Sequence, residues 1–272
     1  MPEPPLQNID PNSGNRDTGE HRPHVALFVT CLADLFRPSV AFASITLLER
    51  AGCIVTVPEL QSCCGQPAYN TGDYEATRPV AKTIIEAFAE ADYVVAPSGS
   101  CTAMICHHYP TLFEGEWHQR ALDLAARTFE LTTFLTEVVS LPAASTTAQP
   151  YEAVTYHDSC AGLRELGIKA QPRALLKSAC NLDVSELTQS EVCCGFGGTF
   201  CVKMPELSTK MASDKLDDAL ASGAQVLVGG DLGCLMNIAG RARRLGQDIE
   251  VRHIAELLSG QLDQPAIGED KS

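Results

Sequence analysis

The sequence predicts an α/β protein of two duplicated Rossmann-like units, related by a pseudo-two-fold axis and each built on a mainly parallel sheet. Three observations predict it. Short β-rich runs alternate with amphipathic helical patterns, the same order recurs after a proline-flanked break, and a Cys…Cys-Cys-Gly…Cys set occurs once in each half. With 272 residues, 45% of them hydrophobic and 20% charged, the chain can bury one large core or two small ones.

Residues 1–23 are rich in Pro, Asn and charge and poor in large apolar side chains, which predicts a disordered tail. They contain no apolar signal-peptide core, and no later run approaches the roughly 18–20 apolar residues of a spanning helix. The expectation is a cytoplasmic protein without a transmembrane segment. The first unit occupies 24–141. Its apolar run 25–30 is a first strand ending at Cys31, and 40–51 carries Ile45, Leu47 and Leu48 on one helical face. A second strand at 54–57, a helix at 77–91 and a third strand at 93–96 follow, the last leading through Pro97-Ser98-Gly99-Ser100 to Cys101. Small and polar residues between Pro142 and Pro150 predict a linker over 142–150. The second unit, 151–259, repeats the pattern: strand 153–156, helix 172–179, strand 182–187, helix 205–221 and strand 225–228. Parallel strands require such helical crossovers, which are right-handed. From 260 to 272 apolar periodicity is lost, and the chain is expected to fray.

The repeat carries the chemistry. Cys31 precedes Cys63 by 32 positions and Cys160 precedes Cys193 by 33, while Cys64 to Cys101 and Cys194 to Cys234 span 37 and 40. In each half the first cysteine closes a strand, the Cys-Cys-Gly triplet follows the second strand, and the last cysteine follows the third. Carboxyl ends of parallel strands share one edge, so Cys31, Cys63, Cys64 and Cys101 are expected to converge there, as are Cys160, Cys193, Cys194 and Cys234. Twelve cysteines in a reducing compartment favour metal or redox chemistry over a disulfide framework. Four thiolates hold an iron–sulfur cubane or a zinc ion. The halves lack the local Cys-x₂₋₄-Cys knuckles usual for zinc, and adjacent thiolates suit separate corners of a cluster. One or two iron–sulfur clusters of 4Fe-4S type are therefore expected, with zinc in one site the alternative. Gly65, Gly195, Gly197 and Gly198 would let backbone N–H groups approach the sulfurs. Gly195-Phe196-Gly197-Gly198 lacks the GxGxxG spacing of a phosphate loop.

Other residues read more plainly. Cys53 and Cys180 belong to the core, Cys106 is rotated about 140° from Cys101 on a helix, and Cys201 is a loop thiol without a first-half counterpart. His157 stands where the first half has Phe28 and is expected to be a satisfied structural histidine, with metal ligation or proton shuttling the alternative. His107 and His108 read as polar surface. Arg241, Arg243 and Arg244 either neutralise cluster charge, dock an acidic partner or form a solvated face. The net charge of −14 argues against nucleic acid and would favour a basic docking partner.

The segments Phe28-Val29-Thr30-Cys31-Leu32, Cys63-Cys64-Gly65-Gln66-Pro67-Ala68-Tyr69-Asn70 and Pro97-Ser98-Gly99-Ser100-Cys101 resemble the lactate utilization protein A family. So do Cys193-Cys194-Gly195-Phe196-Gly197-Gly198-Thr199-Phe200, Gly233-Cys234-Leu235-Met236-Asn237 and His253-Ile254-Ala255-Glu256. These are cysteine-rich Cys-Cys-Gly domain proteins, related to the Cys-Cys-Gly component of heterodisulfide reductase and to the iron–sulfur component of glycolate oxidase. The resemblance implies an iron–sulfur electron-transfer subunit of a multi-protein system oxidising L-lactate to pyruvate, itself part of an oxidoreductase complex. It implies three partners: a second iron–sulfur subunit, a third small subunit and an electron acceptor. The heterodisulfide reductase pattern ends each set in Cys-x-x-Cys; here Met104 and Asn237 stand at those fifth positions. Thiol/disulfide redox chemistry and a zinc-stabilised interaction module are the alternative functions.

Overall fold

Short runs of Val, Ala, Leu and Tyr, most of them buried throughout, become strands, and the hydroxyls of Thr30, Ser98 and Ser159 cap three of the helices that follow. The computed structural model describes residues 22–143 and 151–269. Nearly all of the expected N-terminal tail and of the 142–150 linker lies outside the described residues.

The first half runs β1 (His24–Leu27), α1 (Cys31–Phe36), α2 (Pro38–Arg50), β2 (Ile54–Thr56), α3 (Gln66–Tyr69), α4 (Tyr74–Ala87) and β3 (Tyr93–Ala96). It continues through α5 (Gly99–Ala103), a wider π turn at Met104–His108, α6 (Tyr109–Leu112), α7 (Gly115–Ala125), β4 (Thr128–Glu130) and α8 (Leu131–Thr133). The second half runs β5 (Val154–His157), α9 (Cys160–Leu166), α10 (Ala170–Cys180), α11 (Phe200–Lys203), α12 (Pro205–Ala221), β6 (Val226–Gly229), α13 (Leu232–Leu245), β7 (Glu250–His253) and α14 (Ile254–Ser259).

All strand pairs are parallel. The first sheet has the order β2-β1-β3-β4, with Val25 opposite both Val55 and Tyr93. The second has β5-β6-β7, with Val184 bridged to Val154 where β2 stands in the first. The strand expected at 182–187 thus shrinks to one bridge. The Thr155 hydroxyl takes the Ser185 carbonyl, and Leu182 N–H still bonds Leu176 O as the α10 helix ends. β4, β7 and α14 go beyond the sequence expectation; the two strands are too short and polar to show a pattern.

Alternation sorts each sheet into two faces. Val25, Leu27 and Val95 from one sheet and Val154, Tyr156 and Val228 from the other share a single central core with α2, α10 and α14. Ala26, Phe28 and Val94 bury the opposite face of the first sheet under α4 and α7, and Leu227 and Val251 do so in the second under α12 and α13. Each fully buried Leu or Val of this central layer contributes about 1.5–3 kcal/mol. The halves are fused back to back, and their cross-contacts are reciprocal. α14 packs on α2 while α8 packs on α10, and α1 packs on α13 while α5 packs on α9.

The C-terminal stretch does not fray from residue 260. Ala266 and Ile267 are buried, Ile267 N–H bonds Val251 O, and Arg37 donates to Pro265 O at 2.7 Å. An edge strand with open amides and carbonyls is covered by this return. Among the described residues, no helix is long and apolar enough to cross a membrane.

Candidate metal centres

The strand ends deliver the cysteines as the spacing requires. Thr30 and Ser159 end the loops after β1 and β5, and each hydroxyl accepts an N–H from the first turn of the helix that begins at Cys31 or Cys160. Ser98 caps α5 through Cys101 N–H at 3.2 Å, and Cys234 lies in the first turn of α13. Gly65 and Gly195 both sit at φ 81°, a left-handed turn open to glycine. That turn folds each amide back onto a sulfur two residues earlier: Gly65 N–H to Cys63 Sγ at 3.5 Å and Gly195 N–H to Cys193 Sγ at 3.3 Å. The carbonyl of the second cysteine is anchored in each half, by Tyr109 Oη at Cys64 and Asn237 Nδ2 at Cys194. Gly197 and Gly198 instead form left-handed turns that line the cavity.

All eight candidate thiols line one cavity of about 480 Å³ between the halves. Cys31 and Cys63 sulfurs are 3.6 Å apart, and those of Cys64 and Cys101 are 3.5 Å apart. Donation from the Cys31 and Cys64 thiols, helped by the Gly65 amide, holds Cys63 well below the ordinary thiol range. Cys193 is lowered in the same way by Cys160, Cys194 and Gly195. The donors move oppositely: Cys31 and Cys160 are raised by their bonds to Cys63 and Cys193 and by burial. Cys64 and Cys194 are raised by neighbouring thiols and burial together. Protons crowded between sulfurs in this way are what a bound metal displaces.

The cavity is held shut at its base by a cross-half contact. The buried Asp231 carboxylate accepts from Ser98 Oγ and Ser100 Oγ, both at 2.7 Å, and from Ser100 N at 3.1 Å. At the rim His108 pairs with Glu165 at 2.9 Å and His107 bonds the Glu165 carbonyl, so these histidines join the halves and are not plain surface.

The remaining thiols stay out of the cavity. Cys53 is in the central core, and the half-buried Cys180 reaches Leu257 O at 3.8 Å. Cys106 donates to Ala125 O and Thr128 O, and burial pushes its pKa up to about 12. Cys201 bonds Gly198 O at 3.2 Å. Met104 packs in the outer apolar layer and Asn237 serves the backbone, so neither supplies a thiolate in place of the fifth cysteine. Arg241 bonds Ser213 Oγ and Arg243 the Gly268 carbonyl. Both lie about 10–15 Å along α13 from Cys234, too far to neutralise charge by contact.

Two buried polar groups distinguish the second site. His157, in the place of Phe28, has neither ring nitrogen hydrogen-bonded among the described residues, and burial lowers its pKa to about 3. Lys215 is buried and donates to Gln189 O. Gly65 faces Thr77 and Val80 where Gly195 faces Ser208 and Met211, which sets Lys215 opposite the apolar Ile84. The sequence held the signal for both: polar residues at positions where the duplicate is apolar.

A cysteine-rich domain described as CCG matches residues 25–106 and 154–239, the two halves that build this cavity. The chain belongs to the lactate utilization protein A family of CCG proteins. It is 49% identical over 88% of its length to lactate utilization protein A of Shouchella clausii, covering 99% of that protein. It is 50% identical over 89% of its length to the Exiguobacterium sp. protein of the same name, again covering 99% of it. Among solved structures it is similar in fold to a hypothetical protein from Helicobacter pylori. That likeness has a TM-score of 0.63 and 12% identity, over 91% of this chain and 49% of that one.

Proposed function

We propose that this chain is an iron–sulfur electron-transfer subunit of a multi-protein, cytoplasmic L-lactate oxidation system. The observation that carries the reading is the gathering of two four-thiol sets in one cavity of about 480 Å³ at the carboxyl ends of two parallel sheets. Its curated relatives bear the name lactate utilization protein A, and that name supports the lactate role. The cysteines of each set would hold one cluster, and when bound the cluster supplies a one-electron carrier. The chain's own contributions are the amides of Gly65 and Gly195, directed at sulfur, and the closed base at Asp231. A second iron–sulfur subunit, a third small subunit and an electron acceptor are the proposed partners. Lacking a fifth thiolate in either half, the chain is not proposed to cleave disulfides.

Zinc is a second reading with its own observation. A tetrahedral ion with bonds of about 2.3 Å spaces its sulfurs by about 3.8 Å, close to the 3.5 and 3.6 Å pairs. A cluster requires those pairs to spread, and the cavity has the room. Protein purified without oxygen is expected to be brown and to contain iron and sulfide in near-equal amounts, with Mössbauer spectra reporting the cluster type. A colourless protein holding zinc alone would sink the proposal. Cys64→Ala and Cys194→Ala should each remove the metal of one half, while Cys106→Ala leaves both.

A further inference from the structure

The imidazole of His157 is the one buried side chain at the cysteine cavity whose polar atoms nothing in the described chain satisfies. It ends β5, three residues before Cys160, and is 1% exposed. Among the described residues neither Nδ1 nor Nε2 has a hydrogen-bond partner. Desolvating two polar atoms without replacing their bonds to water is costly, and buried polar groups are paired almost without exception. The same chain satisfies its other fully buried histidine: His253 meets Pro97 O and Ala255 N, both at 3.2 Å. Packing does not demand an imidazole either, because the first half fills the equivalent place with Phe28, against Phe88 with ring centroids 5.6 Å apart. What His157 does face is sulfur. A ring nitrogen, Cys194 Sγ and Cys234 Sγ lie within 4.8 Å of one another, and imidazole nitrogen is a ligand of both iron and zinc.

We propose that His157 is a protein ligand of the second metal centre, bound through a ring nitrogen beside Cys194 and Cys234. The duplicated scaffold then holds two different centres: four thiolates in the first half, mixed thiolate and imidazole in the second. This deepens the metal-site reading given above but does not depend on which metal is present.

The test uses the full chain, purified anaerobically after growth on ¹⁵N-histidine, and examined reduced by pulsed electron paramagnetic resonance. The expected result is a nitrogen coupling of a metal-bound imidazole that changes with the isotope and is lost in His157→Phe. That variant copies the first half. His157→Cys, a second variant, should keep the metal and lose the coupling. A spectrum with no bound nitrogen, or a coupling that survives in both variants, overturns the proposal. Iron and sulfide analysis of the same sample judges the cluster reading separately. If only zinc is found, X-ray absorption at the zinc edge replaces the resonance experiment. A nitrogen neighbour lost in both variants then supports His157 as ligand, and sulfur neighbours alone refute it. A chain that binds no metal at all overturns both readings.

Discussion

The two Cys-Cys-Gly turns share a backbone conformation but not their surroundings, so one substitution made in each half should cost different amounts. Alanine at Gly65 or Gly195 places an L side chain at φ 81°, a conformation that costs about 1–2 kcal/mol. The stiffening of the unfolded chain by alanine is the same at both positions and cancels in the comparison. The neighbours do not cancel. A Cβ at Gly65 would come within 3.2 Å of the Thr77 methyl, a contact relieved by a shift of a few tenths of an ångström. One at Gly195 would come within 2.8 Å of Met211 Cβ and 2.9 Å of Ser208 O, atoms of the α12 backbone and its first carbons. Overpacking against a fixed wall adds about 1–3 kcal/mol. Gly65→Ala should therefore lose about 1–2 kcal/mol and Gly195→Ala about 2–5 kcal/mol. Anaerobic urea unfolding measures the difference, and metal content per chain should fall further in Gly195→Ala. Equal losses, or a larger loss at Gly65, would refute the reasoning.

Three other predictions test different parts of the molecule. Asp231→Ala deletes a buried acceptor of three hydrogen bonds and leaves the Ser98 and Ser100 hydroxyls without it; a loss of about 3 kcal/mol in denaturant unfolding is expected, and an unchanged midpoint would discount the cross-half clamp. Metal affinity should rise with pH, because Cys31 and Cys64 in one set and Cys160 and Cys194 in the other hold protons tightly and must release them. At least two protons per site imply a gain of about 100-fold or more per pH unit, measurable by competition with a coloured chelator, and a flat profile would contradict it. Burial raises the Glu130 pKa from 4.5 to about 7 despite its bonds from Thr132 and Thr133. A carboxyl raised on folding stabilises the protein at low pH, and that stability is lost as pH climbs from 4.5 through 7, amounting to about 3 kcal/mol. Glu130→Gln should remove that slope, and a slope that persists would assign it to another group.

Much of the fold and of the site is legible in the chain itself. The strand 93–96 and the helix Pro205–Ala221 appear as the periodicity predicts, and the matched cysteine gaps identify both four-thiol sets. Duplication repeats silences as well as signals: β4 and β7 hold equivalent places and neither shows in the sequence, since three or four residues are too few to reveal an alternation. The strand 182–187 fails for another reason, a side-chain hydroxyl competing for its ladder.

By itself the sequence determined the α/β class, the repeat and which eight thiols converge, because strand alternation and helix periodicity are local and the rest follows from parallel-sheet topology. Only the tertiary structure decided that both sets open into one cavity, that Asp231 ties the loops of Cys101 and Cys234 together, and that His157 stands unpaired beside sulfur among the described residues. The close approach of α5 to α9, where a Cβ on Gly99 would lie 2.9 Å from the Gly162 Cα, joins residues 63 positions apart. No local pattern encodes such a meeting. It is set by how two sheets pack their inner faces into one core, and that depends on the shapes of both halves at once.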